Sequence, residues 1–152
     1  MNQTESLLTL ESLLTTTDRQ LYVERINTLK QEAFSLDQLT RKPTTNAIDQ
    51  EILTYVTHNS QTPTASQLEK SLDELKRKIT EVEEACIQIA FTPSRADLER
   101  IVEVLQQKFG EKVIIQVQIA PEIWGGMILE FRGTVYDQSL RASILKEQYG
   151  SI

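Results

Sequence analysis

The single histidine, His58, and the single cysteine, Cys86, are the first side chains to test for chemistry. His58 lies in Thr57-His58-Asn59-Ser60, a polar stretch without cysteines or carboxylates at metal-ligand spacing. No strand-end serine accompanies it, so a Ser-His-acid nucleophile has no basis, and a surface loop is the expected setting. Cys86 sits in Ala85-Cys86-Ile87-Gln88-Ile89-Ala90, a strand-like run, and reads as a buried, inert thiol. One cysteine permits no intrachain disulfide. Gly110-Glu111-Lys112 joins a glycine to a lysine but lacks the loop spacing and the Ser/Thr of a phosphate cradle. The adjacent acids Glu83 and Glu84 point to different faces and read as surface charge. Asp137, Ser139 and Arg141 gather at a helix start, where capping and local ion pairing are the plain roles. Nothing in these residues supports an enzyme acting alone, no catalytic, metal or cofactor residue is expected, and binding is the chemistry they favour.

The elements that would present a binding surface follow from periodicity. Leu7, Leu8, Leu10, Leu13 and Leu14 give a first helix over residues 4–16. Asp18 is placed to cap a second, with Tyr22, Ile26, Leu29 and Ala33 on one face and a short continuation over residues 35–40. Pro43 breaks the pattern, and Asn46 opens a helix carrying Ile48, Ile52, Tyr55 and Val56. Residues 58–64 read as a linker. Ser66 and Glu69 have capping-box spacing ahead of Leu68, Leu72, Leu75, Ile79 and Val82, the clearest amphipathic seam in the chain. That seam either packs within its own bundle or also meets a partner helix.

After Glu84 the pattern changes. Ala85 to Ala90 predicts a strand. Ser94, with Asp97 three residues on, starts a helix with Leu98, Ile101, Val102, Leu105 and Phe109 inward, and Gly110 ends it. Val113 to Ile119 is β-branched with Gln116 and Gln118 interleaved, a strand with one wet face. Met127–Phe131 and Thr134–Tyr136 flank Arg132-Gly133 as a hairpin. Asp137 or Ser139 caps a last helix running through Lys146. The fold class is α+β: an N-terminal helical bundle or hairpin over residues 1–82, then a small strand–helix–strand–hairpin–helix domain over residues 83–152.

At 152 residues the chain can bury a modest core. Its net charge of -6 repels phosphate backbones, and the one basic cluster, Lys76-Arg77-Lys78, lies among Asp73, Glu74 and Glu81, so nucleic acid is not an expected partner. No apolar run approaches the roughly 18–20 residues that span a bilayer. The start has neither the basic, apolar plan of a secretory signal nor the arginine-rich plan of a transit peptide, which predicts a bacterial cytoplasmic protein.

The run from Ile119 through Trp124-Gly125-Gly126-Met127 to Val135-Tyr136-Asp137-Gln138-Ser139-Leu140-Arg141 resembles the delta subunit family of rotary ATP synthases, called the oligomycin-sensitivity-conferring protein in mitochondria. The family pattern is a glycine pair, a β-hairpin, then an Asp-Gly-Ser-apolar-Arg-like entry to the last helix. Gly125, Gly126, Val135, Asp137, Ser139, Leu140 and Arg141 match it without a gap, and Gln138 departs from it. The segments at residues 91–105 and 112–119 extend the likeness to about residues 83–148, while the helical half lacks the family's opening segment and is shorter.

What the resemblance implies is a non-catalytic stator connector of a rotary proton-translocating ATP synthase, peripheral on the cytoplasmic side of the bacterial plasma membrane. Its partners would be N-terminal helices of the alpha subunits and C-terminal helices of the b-subunit stalk, with the membrane reached only through the complex. Apolar faces would carry the binding. Trp124, Met127, Leu129 and Phe131 either serve the stalk side or form the small domain's own core, and Leu68, Leu72 and Leu75 are candidates for a helix contact. Period-two alternation cannot turn every hairpin residue inward, so some apolar surface is expected outside. The alternatives are a divergent paralogue that serves as an adaptor or coiled-coil scaffold elsewhere, and a small enzyme whose site the sequence does not reveal.

Overall fold

The computed structural model describes residues 10–32, 46–57 and 64–150. These form five helices and one four-stranded mixed sheet, an α+β architecture. The chain divides into two compact units, one of Met1–Leu13 with Thr17–Val82 and the other of Leu14–Thr16 with Glu83–Ile152.

The first unit contains helices α1 (Thr16–Glu32), α2 (Ala47–Thr57) and α3 (Ala65–Glu81). Their apolar stripes bury Tyr22, Ile26 and Leu29 from α1, Ile52 and Val56 from α2, and Leu68, Leu72, Leu75 and Ile79 from α3. Two carboxylates on α2 anchor the polar contacts. Glu51 accepts from the Ser12 hydroxyl and backbone N–H and from the Tyr22 hydroxyl. Asp49, only 2% exposed, accepts from Arg25 Nε and Nη2, at 2.8 and 2.5 Å. The two aligned donors replace hydration that the buried carboxylate has lost. Lys30–Asp73 and Lys76–Asn27 link α1 to α3.

Several expectations are corrected in this unit. Residues 10–15 are not helical: Leu13 N–H bonds back to Leu10 C=O in a turn, and Thr15 makes a β-bridge. Leu10, Leu13 and Leu14 are all buried, but a turn followed by an extended segment buries them as well as a helical face would. Asp18 lies inside the first turn of α1 rather than capping it. The capping box of α3 uses Thr64 and Gln67, not Ser66 and Glu69. Thr64 has the extended backbone an N-cap needs, whereas Ser66 is already helical. Leu7, Leu8, Ala33, the breaker at Pro43 and His58 lie outside the described residues.

In the second unit the sheet order is β2-β1-β3-β4, with β1 Glu83–Ile89, β2 Val113–Ile119, β3 Met127–Phe131 and β4 Thr134–Asp137. β1 and β2 are parallel and need a crossover, which α4 (Arg95–Phe109) supplies. Ser94 and Asp97 form the expected capping box of α4, and Gly110 ends it at φ 74°. The expected strand over 85–90 begins two residues earlier and stops at Ile89. Odd-numbered residues of the first three strands face the core, where Ala85, Ile87, Val113, Ile115, Leu129 and Phe131 pack on Val102 and Leu105. The rings of Phe109 and Phe131 meet at 4.3 Å, tilted by 46°. The opposite face carries the exposed Glu84, Gln116 and Glu130 but also Ile114, which is fully buried, so the wet face expected for β2 is only partial. Arg132 (φ 49°) and Gly133 (φ 73°) make the two-residue turn of the β3–β4 hairpin, and positive φ at both is the signature of a type I′ turn. Arg132 also pairs with Glu83 and Glu111, tying the turn to the sheet end.

Candidate partner-binding site

The region between β2 and the last helix, α5 (Leu140–Tyr149), is organised by backbone. After β2, Ala120 N–H bonds to Ile89 C=O, and Pro121–Ile123 form one 3-10 turn that Pro121 opens. A prolyl φ suits the first position, where no N–H is needed. Ile123 is buried; the turn then ends on Trp124 in the left-handed region, at φ 64°. That backbone throws the indole outward, and Trp124 is 62% exposed.

Gly125 and Gly126 follow at φ 150° and 71°. A Cβ on Gly126 would stand 2.2 Å from the Gln138 carbonyl oxygen, so at this point the chain has room for hydrogen alone. A Cβ on Gly125 would meet the flexible end of Leu140 at 2.8 Å. The close approach prolongs the hairpin, because Gln138 N–H donates to Met127 C=O and Leu140 N–H to Gly125 C=O, both at 2.9 Å. The glycine pair thereby fixes where α5 begins and sets Leu140 beside the residue that follows Trp124.

Ser139 caps α5: its hydroxyl accepts from Ala142 N–H, and its own N–H donates to the Asp137 carboxylate at 2.9 Å. The Ser139 side chain, and then its backbone N–H, hold the Asp137 carboxyl below the usual carboxylate range, with smaller help from Lys146 and Arg141. The cap is therefore Ser139, with Asp137 bracing it, and the helix runs to Tyr149 instead of stopping at Lys146. Arg141 is exposed.

The candidate residues divide by environment. Leu129 and Phe131 are buried in the core of the second unit, and Leu68, Leu72 and Leu75 in that of the first. Met127 is half-buried, and Trp124 is exposed. Of the motif residues, Ser139 is buried, whereas Val135 and Leu140 are 59% and 50% exposed. Ile144 and Leu145, which sequence reasoning did not single out, are exposed too, at 36% and 42%. The available signal was three large apolar residues on a ten-residue helix that has little to pack against. Trp124, Leu140 and Ile144 thus present apolar surface on neighbouring pieces of chain.

The family model described as ATP synthase delta (OSCP) subunit matches residues 4–148, which carries the likeness across the helical half as well. A protein named ATP synthase subunit delta, from Methylobacillus flagellatus, is 36% identical over 83 residues, 55% of this chain and 47% of that protein, so the chain spans about half the length of this relative. A chain of the Polytomella F-ATP synthase superposes with a TM-score of 0.40 at 18% identity, covering 45% of this chain and 88% of its own length. A chain of the Toxoplasma gondii mitochondrial ATP synthase hexamer gives a TM-score of 0.40 at 15% identity, covering 99% and 96%.

Proposed function

This chain belongs to the ATP synthase delta (OSCP) subunit family, and from that premise we propose that it is a non-catalytic peripheral-stalk connector that joins the catalytic head to the b-subunit stalk, so that the stator stays fixed while the rotor turns. The family match over residues 4–148 is the observation that carries the reading. The site geometry supports it, because what the second unit offers is apolar contact surface on a braced backbone. In this reading Trp124, Leu140 and the exposed side of α5 receive C-terminal helices of the b subunit. The buried Leu129 and Phe131 hold the sheet that presents them. The helical unit meets N-terminal helices of the alpha subunits, with Leu68, Leu72 and Leu75 shaping its core instead of touching the partner. The chain reaches the cytoplasmic side of the bacterial membrane only through its complex; among the described residues no helix is long and apolar enough to cross a bilayer.

The test is affinity capture of the tagged full chain from its native cells, with alpha and b subunits as the readout. Both are expected. Recovery of neither overturns the connector reading. A Trp124→Glu variant is expected to lose b while keeping alpha, and equal recovery of b by variant and parent removes Trp124 from the stalk contact.

A further inference from the structure

The second unit contains one short piece of chain from far away in sequence. Leu14–Thr16 clusters with residues 83–152 although the residues on both sides of it do not. Thr15 bridges Ile115 in parallel at the outer edge of β2, and Ile115 N–H donates to Leu14 C=O at 2.9 Å. The Leu14 side chain is 4% exposed and packs in the sheet core with Ala85, Ile87, Val113 and Ile115. The segment supplies an edge strand and a core plug together.

Its hold differs in kind from that of its neighbours. β1 is registered to β2 over seven residue pairs and to β3 over four. The strap makes a single bridge and cannot lengthen, because a turn closes before it at Leu13 and α1 begins at Thr16. In a parallel ladder, alternate residues direct their N–H and C=O to opposite neighbours. Ile115 faces the strap, whereas Ala120 N–H goes to Ile89 of β1. Ile114 and Gln116 therefore face β1, and Val117 and Ile119 face the same edge as Ile115.

We propose that Leu14–Thr16 is a detachable edge strand, which leaves β2 while the rest of the sheet stays folded and uncovers an edge that accepts an extended, leucine-bearing peptide. A segment joined to its sheet through one bridge can open locally, below the free energy of global unfolding. Departure of the strap frees Ile115 to pair together with Val117 and Ile119, which face the same edge, and vacates the core position of the Leu14 side chain; main-chain pairing and a side-chain site are the two ingredients of strand addition. In the resting chain the occupant is its own Leu14. This inference stands apart from the stator reading, since it uses contacts within the second unit only.

Amide hydrogen exchange on the full chain, followed residue by residue by NMR, tests it. In the parent, Ile115 is expected to exchange about ten-fold or more faster than Ile114 and Gln116, which report on the β1–β2 ladder. Leu14→Asp should speed Ile115 further, about ten-fold or more, while Ile114 and Gln116 change by less than about three-fold. Leu14→Ala should fall between, and serves if the aspartate variant does not fold. A synthetic peptide of residues 10–18 should slow Ile115 again in the Leu14 variants and leave the parent unchanged. Exchange of Ile115 in step with Ile114 and Gln116 in the parent overturns the detachable strap. Failure of the peptide to slow Ile115 in either variant overturns the accepting edge.

Discussion

Replacing Gly126 by alanine is the sharpest probe of how the second unit is braced. Two costs can be worked from its surroundings. The first is backbone conformation: φ is 71°, and an L-residue held in the left-handed region costs about 1–2 kcal/mol. The second is steric. The new Cβ would lie 2.2 Å from the Gln138 carbonyl oxygen and 3.2 Å from Gln138 C and Ser139 Cα, all main-chain atoms that no rotamer change can move. Relieving the first contact needs roughly 1 Å of separation between the strands. That strains the two 2.9 Å bonds on either side, from Gln138 N–H to Met127 C=O and from Leu140 N–H to Gly125 C=O. At about 1 kcal/mol net for each bond lost, the total is about 3–4 kcal/mol, a large share of a typical domain's stability. Gly133→Ala is the internal control. Its φ is 73°, and a Cβ there meets nothing within 4 Å, so only the conformational cost of about 1–2 kcal/mol applies. Urea unfolding of both variants and the parent, followed by circular dichroism, measures the gap. We expect Gly126→Ala to lose about 2 kcal/mol more than Gly133→Ala. Equal losses would refute the reasoning, because the hairpin would then be absorbing the methyl without giving up its bonds.

Three further outcomes follow from the local chemistry. Thr64→Ala should cost about 1 kcal/mol in the same assay and Ser66→Ala under about 0.5, since Thr64 holds the cap; the reverse order would restore Ser66. Asp97 is held below the usual carboxylate range by the Ser94 hydroxyl and backbone N–H. Its folded pKa is depressed, so its contribution is fully present above the unfolded value near 3.8 and disappears as pH falls through the folded value. Asp97→Asn should therefore flatten the loss of stability as pH falls below 3.8, and an unchanged acid limb would contradict the cap contact. Burial, and then the nearby Glu130, push the Cys86 thiol up, so at pH 8 less of it is thiolate than in an exposed cysteine. Iodoacetamide should modify it more slowly than a cysteine in a short peptide, and an equal rate would place the thiol in open solvent.

The sequence showed most where local chemistry and burial agree. Ser94, Asp97 and Gly110 bounded α4 correctly because cap and stop signals act within one turn. The bounds Val113–Ile119 and Met127–Phe131 match the expected strands, although the expected wet face of β2 is only partial, because Ile114 is fully buried and Ile119 is exposed. Residues 10–15 were misread because three buried leucines have the same spacing in a helix as in a turn joined to an extended segment. What decided between them was pairing with Ile115, a hundred residues away, which no local pattern encodes. At the glycine pair the motif was legible but its reason was not. The Gln138 carbonyl that excludes a Cβ from Gly126 is brought there by the hairpin turn at Arg132-Gly133.

That division also explains which apolar residues of the hairpin region are free to bind. β3 alternates, so Leu129 and Phe131 turn inward on the same side as Ile87, and Phe131 is further held by the ring of Phe109. Those side chains cannot serve a partner without opening the core, where truncating a buried leucine or phenylalanine costs about 2–5 kcal/mol. Trp124 escapes the alternation because it precedes the strand, at the end of a 3-10 turn with positive φ. Leu140 escapes it because the chain has just left β4 for α5. Both lie at changes of backbone type, and both are held there by the bonds that span Gly125 and Gly126. A partner surface assembled at such junctions depends on the glycines more than on strand hydrophobicity. Weakening of b-subunit capture by Gly126→Ala at a urea-free temperature where the variant remains folded would express that dependence, and undiminished capture would show that the surface does not need the junction.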